Sequence, residues 1–121
     1  DWERTYRGLL DQARQANPAL KIVLCTPFAA PCGKIVEGAL GEYYPLRQRI
    51  LAQCCVIVER IAADYGATLV PFHRLIADLE TRLPNGDATY WVWDGIHPTP
   101  AGQRLMADCW IGAAARSGVM E

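Results

Sequence analysis

Residues 20–26 read LKIVLCT and residues 67–72 read ATLVPF. Each is a short, nearly continuous apolar run, the pattern of a strand covered on both faces. Between them, over residues 42–65, Leu46, Ile50, Cys54, Ile57, Ile61 and Tyr65 recur every three or four positions, and Gly66 stands where a helix is expected to stop. Two strands joined by a long amphipathic helix predict a right-handed parallel crossover, and hence an α/β protein.

Outward from that unit, residues 2–16 place Trp2, Tyr6, Leu9, Leu10 and Ala13 on one helical stripe with charges opposite. Asn17-Pro18 ends it, because the residue before a proline is pushed out of the α region. Residues 27–41, PFAAPCGKIVEGALG, scatter prolines and glycines without a clean period and read as a long loop, a feature that in compact domains is usually functional. A third helix is expected over residues 73–83, stopped by a turn at Pro84-Asn85-Gly86-Asp87, and a fourth over 99–115. Thr99 can cap that last helix, with Pro100 at its first position, where a missing N–H costs nothing. The expected architecture is an α/β three-layer sandwich with a parallel sheet, residues 1–121 forming part of one domain. Two short strands alone make a poor parallel sheet, so further strands are expected upstream of Asp1.

Composition bounds the function. The 121 residues are 51% hydrophobic, enough for one core. Lys plus Arg number 12 against 13 Asp plus Glu, and no basic run interleaves with aromatics, so nucleic acid is not an expected partner. The longest apolar run, around residues 54–58, is far short of the roughly 20 residues of a bilayer span, and no membrane association is expected. The first residues, Asp1-Trp2-Glu3-Arg4, do not resemble a signal peptide, and with no initial Met the sequence is expected to be a piece of something longer. Five cysteines cannot all pair within one chain, and adjacent Cys54 and Cys55 point about 100° apart on a helix. The expectation is reduced thiols and a cytoplasmic setting. With only His73 and His97 available and no C-x-x-C, a zinc site would have to be assembled from scattered residues, and no metal is expected.

Residues 93–102 read WDGIHPTPAG. Asp94 precedes His97 by three positions, and Pro98 stiffens the backbone at the histidine. A histidine that removes a hydroxyl proton needs one tautomer and one orientation, which a carboxylate on its other nitrogen supplies. An Asp-x-x-His pair is also compatible with an idle surface pair or a metal half-site.

The wider string from Tyr90 to Gly102 resembles the closing block of the SGNH hydrolases, also called GDSL-type esterases and lipases. That block reads roughly D-G-x-H-P-[TNS]-x-x-G ahead of a helix, and the match covers its core, Thr99 and Gly102. The resemblance implies that Asp94 is the orienting acid and His97 the general base. It extends over essentially the whole chain, because the preceding strand and helix order agrees with the second half of that fold. Gln103 departs mildly from the pattern. The larger departure is that the family's Gly-Asp-Ser, oxyanion-hole glycine and Gly-x-Asn-Asp blocks do not occur here; Gly33 and Gly38 lack that context. Ser117 lies in the tail, where a surface position is expected. The resemblance therefore implies the C-terminal portion of a serine esterase, acting on acetyl or other short-chain esters such as those of carbohydrates, with its nucleophile upstream and with no metal or organic cofactor. A non-catalytic α/β module that binds a ligand or partner is the alternative.

Trp91 and Trp93 alternate on the approach to Asp94, so one can line the substrate pocket while the other packs inward. Phe28, at the end of the first strand, is a third pocket candidate. His73 is expected at the surface or in a helix cap. An unpaired parallel edge would also favour self-association.

Overall fold

The computed structural model describes residues 1–83 and 87–120. The turn expected at Pro84-Asn85-Gly86 lies outside the described residues. Helix α1 (Trp2–Ala16) begins at Asp1, whose side chain accepts the Arg4 N–H, and ends at Asn17, whose backbone is extended ahead of Pro18. Strand β1 (Val23–Cys25) then runs parallel to β2 (Thr68–Val70), with Val23 opposite Thr68, Leu24 opposite Leu69 and Cys25 opposite Val70. One hydrogen bond extends the ladder at each end, Thr68 N–H to Ile22 O at 2.8 Å and Thr26 N–H to Val70 O at 3.1 Å. Both strands are shorter than their apolar runs because only residues facing a partner strand form a ladder.

The connection contains a 3-10 turn (Gly33–Val36), α2 (Gly38–Glu42) and α3 (Tyr44–Tyr65). This corrects the expectation of an irregular loop over residues 27–41. Helical pieces of four and five residues are too short to show a period, and Gly33 and Gly38, at φ 63° and 50°, break the chain around them. Helix α3 carries Pro45 in its first turn and stops at Gly66, which takes the left-handed φ of 57°. After β2 come α4 (Phe72–Arg82), an unanticipated 3-10 turn (Ala88–Tyr90) and α5 (Pro100–Arg116).

Residues paired across the ladder turn to the same face. On one face Ile22 and Leu24 join Val58, Ile61 and Ala62 of α3 in a buried core, with Tyr6 and Leu10 of α1 packed against it. On the other, Thr68 donates its hydroxyl to Ser117 Oγ at 2.7 Å, just past α5, which packs on β2. Ser117 is exposed, as expected of the tail. Helices on both faces of a parallel pair make this the three-layer α/β arrangement. Polar contacts join α1 to α3: Arg7 to Asp64 at 2.7 Å, Glu3 to Arg60, and the Tyr65 hydroxyl to Asp11 at 2.6 Å. Surface ion pairs contribute about 0.2–1 kcal/mol each, against about 1.5–3 kcal/mol for a fully buried aliphatic side chain, so packing dominates.

All five cysteines are free. Among the described residues, no helix is long and apolar enough to cross a membrane. Ile61 is fully buried at the centre of the α3 face. Ile61→Ala is expected to destabilise the fold by about 2–5 kcal/mol in a denaturant titration, and a loss well below 1 kcal/mol would contradict this placement of the core.

Candidate active site

Asp94, Gly95, Ile96 and His97 form the tip of a tight turn. Val92 and Pro98 pair as an antiparallel bridge at its base, and the Trp93 N–H donates to His97 O at 3.2 Å. Gly95 takes φ 89°, a region closed to most side chains. Asp94 Oδ1 accepts the backbone N–H groups of Ile96 at 3.0 Å and His97 at 2.7 Å, so the carboxylate shapes the turn that carries it. Its other oxygen, Oδ2, lies 2.7 Å from His97 Nδ1.

Just downstream, Thr99 caps α5 by accepting the Gly102 N–H at 3.1 Å, and its hydroxyl donates to Tyr90 O at 2.7 Å. Gly102 carries no side chain for a packing reason: a Cβ there would run into the Trp91 carbonyl oxygen. The start of the helix is thus pressed against the strand-like approach to Asp94.

The His97 backbone N–H, then the His97 ring, hold the Asp94 carboxyl down to about 2. An ionised carboxylate only accepts, so the hydrogen between the two groups belongs to Nδ1 and the lone pair of Nε2 is left open. Exposure matches that division, with the His97 side chain 67% exposed and that of Asp94 only 14%. A neutral imidazole held in this tautomer can take a proton from a hydroxyl, and the carboxylate behind it stabilises the imidazolium that forms.

The remaining candidates separate. Trp93 is 55% exposed and stacks on His97, with ring centroids 6.1 Å apart and planes inclined by 26°. Trp91 turns inward and packs against the buried cluster of Ala30, Cys32, Ile76, Ala88 and Val92. Phe28 touches the same cluster and, with Ile96, Trp2, Tyr6, Cys25 and Phe72, lines an open hollow of about 400 Å³. That hollow lies beyond the C-terminal ends of the strands, where α/β proteins place their ligands.

His73 is half-buried rather than at the open surface. Its backbone N–H donates to Thr26 Oγ1 at 3.2 Å, and its Nδ1 lies 2.8 Å from the same oxygen. Thr26, the residue after β1, therefore caps α4 in place of Pro71, which offers no side-chain hydrogen bond. Burial pushes the His73 imidazole below its ordinary value, opposed by Glu59 at 3.7 Å. Among the described residues, no three His, Cys, Asp or Glu side chains converge as a metal site would require. Sequence reasoning missed the residues beneath the turn, Ala30, Cys32 and Gly33, which bond to or abut Val92, Asp94 and Gly95. The only signal for them was the length of the loop they occupy.

A carboxylate-oriented histidine at the strand ends of an α/β fold is an arrangement able to take a proton from a hydroxyl, and comparison with known proteins gives the family. Residues 1–105 match the GDSL-like lipase/acylhydrolase family, and the chain belongs to it. A crystal structure from Parabacteroides merdae ATCC 43184, assigned to the GDSL-like lipases, superposes with a TM-score of 0.77 at 28% identity, covering 93% of this chain and 48% of that one. The chain thus spans about half the length of that structure. No curated protein matches it.

The depressed carboxyl carries a pH signature. A group whose folded value is lowered stabilises the fold fully above its unfolded value and loses that contribution as pH falls through the folded one. For Asp94 the window runs from its ordinary 3.8 down to about 2. Carbon-13 titration of the Asp94 carboxylate is expected to show a midpoint near about 2, and a midpoint at or above 3.8 would remove the basis for the tautomer assigned to His97.

Proposed function

We propose that this chain is the acid–base half of a serine esterase, with His97 as general base and Asp94 as the group that orients it. The observation that carries the reading is the 2.7 Å contact between Asp94 Oδ2 and His97 Nδ1, on an imidazole side chain that is 67% exposed. The nucleophile comes from a segment preceding Asp1, since Ser117, the chain's serine, sits beyond α5 and is hydrogen-bonded to Thr68 at the start of β2, the opposite end of that strand from the hollow. His97 Nε2 takes the proton as the serine oxygen bonds to the acyl carbon, and returns it to the alcohol oxygen as the ester C–O bond breaks. Water then repeats the sequence on the acyl-serine. The oxyanion is held by donors from the same upstream segment.

Acetyl or other short-chain esters, carried by carbohydrates, are the proposed substrates. Support comes from the Trp-rich approach to Asp94 and from the Trp93 indole, which lies against the imidazole and crowds the space beside it. Phe28 and Ile96 are placed to border the rest of the pocket. A cytoplasmic setting is proposed from the five free thiols.

The 121-residue chain is expected to be inactive on p-nitrophenyl acetate by itself and active when supplied with a preceding segment that carries Gly-Asp-Ser. In the complete enzyme His97→Ala should lower kcat by about 10⁴-fold or more with little change in melting temperature, by analogy with triad removals. Turnover by the isolated chain that vanishes in His97→Ala would overturn the upstream nucleophile, and a preference for decanoate over acetate would overturn the short-chain assignment. Thiol titration without reductant should find five reactive groups after denaturation, and two or four missing would argue against a cytoplasmic home.

A further inference from the structure

Beneath the acid–base turn two stretches of backbone meet back to back. One is the segment 30–35 that leaves β1, and the other is 92–95. The Ala30 N–H donates to Gly95 O at 2.9 Å, and the Cys32 thiol donates to Val92 O at 2.9 Å. Burial, then the nearby Asp87 carboxylate, pushes the Cys32 thiol up, so it retains the hydrogen this bond needs.

Glycine at two positions permits the approach. Gly33 has φ 63°, and a Cβ built on it would stand 2.5 Å from Asp94 Cα and 2.9 Å from both Asp94 C and Trp93 O. All three are backbone atoms, which cannot rotate aside as a side chain can. A Cβ on Gly95 would in turn meet Cys32 O at 2.5 Å, together with the buried side chain of Ile35. Asp94 therefore occupies space that any other residue at position 33 would fill.

We propose that residues 30–35 are the seat of the acid–base pair and that Gly33 is its positioning residue, acting through the Asp94 backbone on the line along which the carboxylate meets His97. The consequence for catalysis rests on the esterase reading; the effect on the pair does not. Restoring ordinary contact at 3.4 Å from 2.5 Å would displace Asp94 by nearly 1 Å. A misplacement of that size is worth on the order of 100-fold in rate at a catalytic contact.

Gly38 supplies the control. It shares the left-handed backbone, at φ 50°, but a Cβ there would meet nothing within 4 Å, so Gly38→Ala carries the conformational cost without the collision. The readout is the low-field proton resonance of the His97 Nδ1–H in the 121-residue chain, assigned by its disappearance in His97→Gln. Gly38→Ala should retain it, whereas Gly33→Ala should lose it or exchange it with water at least about tenfold faster, the cost of one hydrogen bond. A resonance in Gly33→Ala with unchanged exchange overturns the proposal. If circular dichroism shows Gly33→Ala unfolded, Cys32→Ala decides, because it deletes the bond to Val92 without adding an atom. Exchange faster by about tenfold supports the seat, and unchanged exchange sinks it. In the complete enzyme kcat should fall about 100-fold in Gly33→Ala at an unchanged KM and remain normal in Gly38→Ala. Should even the wild-type enzyme lack esterase activity while the resonances behave as described, the esterase reading fails and the seat stands.

Discussion

The parallel ladder between β1 and β2 is the constraint from which the rest of the structure follows. Parallel neighbours cannot be joined by a tight turn, so the chain must leave the end of β1, cross a face of the sheet and return to the start of β2. Helix α3 makes that return, and its buried face, Val58, Ile61 and Ala62, closes over Ile22 and Leu24. Because both strands point the same way, Thr26 and Phe72 come to the same end of the sheet, and the hollow that includes Ile96 opens there. The acid–base turn is thus placed by topology before any of its own chemistry is considered.

That turn is held from three directions. Internally, Asp94 uses one carboxylate oxygen to shape its own backbone and the other to fix an imidazole tautomer. Behind it, Thr99 and Gly102 lock the start of α5 against Tyr90 and Trp91. Below it, Ala30 and Cys32 bond to Gly95 and Val92. The outcome is a held carboxylate and an exposed imidazole, the combination that the proposed proton transfer requires, since a base must meet a partner while the group behind it need only hold it.

Family membership and geometry carry different parts of the functional reading. The match over residues 1–105 establishes the lipase/acylhydrolase family, and the structural likeness covers 48% of its counterpart. The chain's own atoms supply an oriented imidazole, an aromatic plate against it and a hollow at the strand ends, and the catalytic use of these parts is what we propose.

Much of this was legible in the sequence because it rests on local rules. Period set the helices, prolines and Gly66 set their ends, and the apolar runs marked both strands. The spacing of Asp94 and His97, with Pro98 behind, put the carboxylate within reach of the imidazole, but spacing alone also fits an idle pair, and the reading of the two as partners came from the resemblance of the wider string. Other features depend on which distant segments the fold brings together. That Trp91 packs inward while Trp93 stacks on the base was open until the turn was seen on its support. That Thr26, just past β1, caps α4, and that the 3-10 turn Gly33–Val36 lies against residues 93–95, follow from the ladder between β1 and β2. The need for glycine at position 33 is of the same kind. Sequence determined which local conformations were available, and only tertiary structure decided which backbones would touch, because excluded volume between segments some 60 residues apart has no local signature.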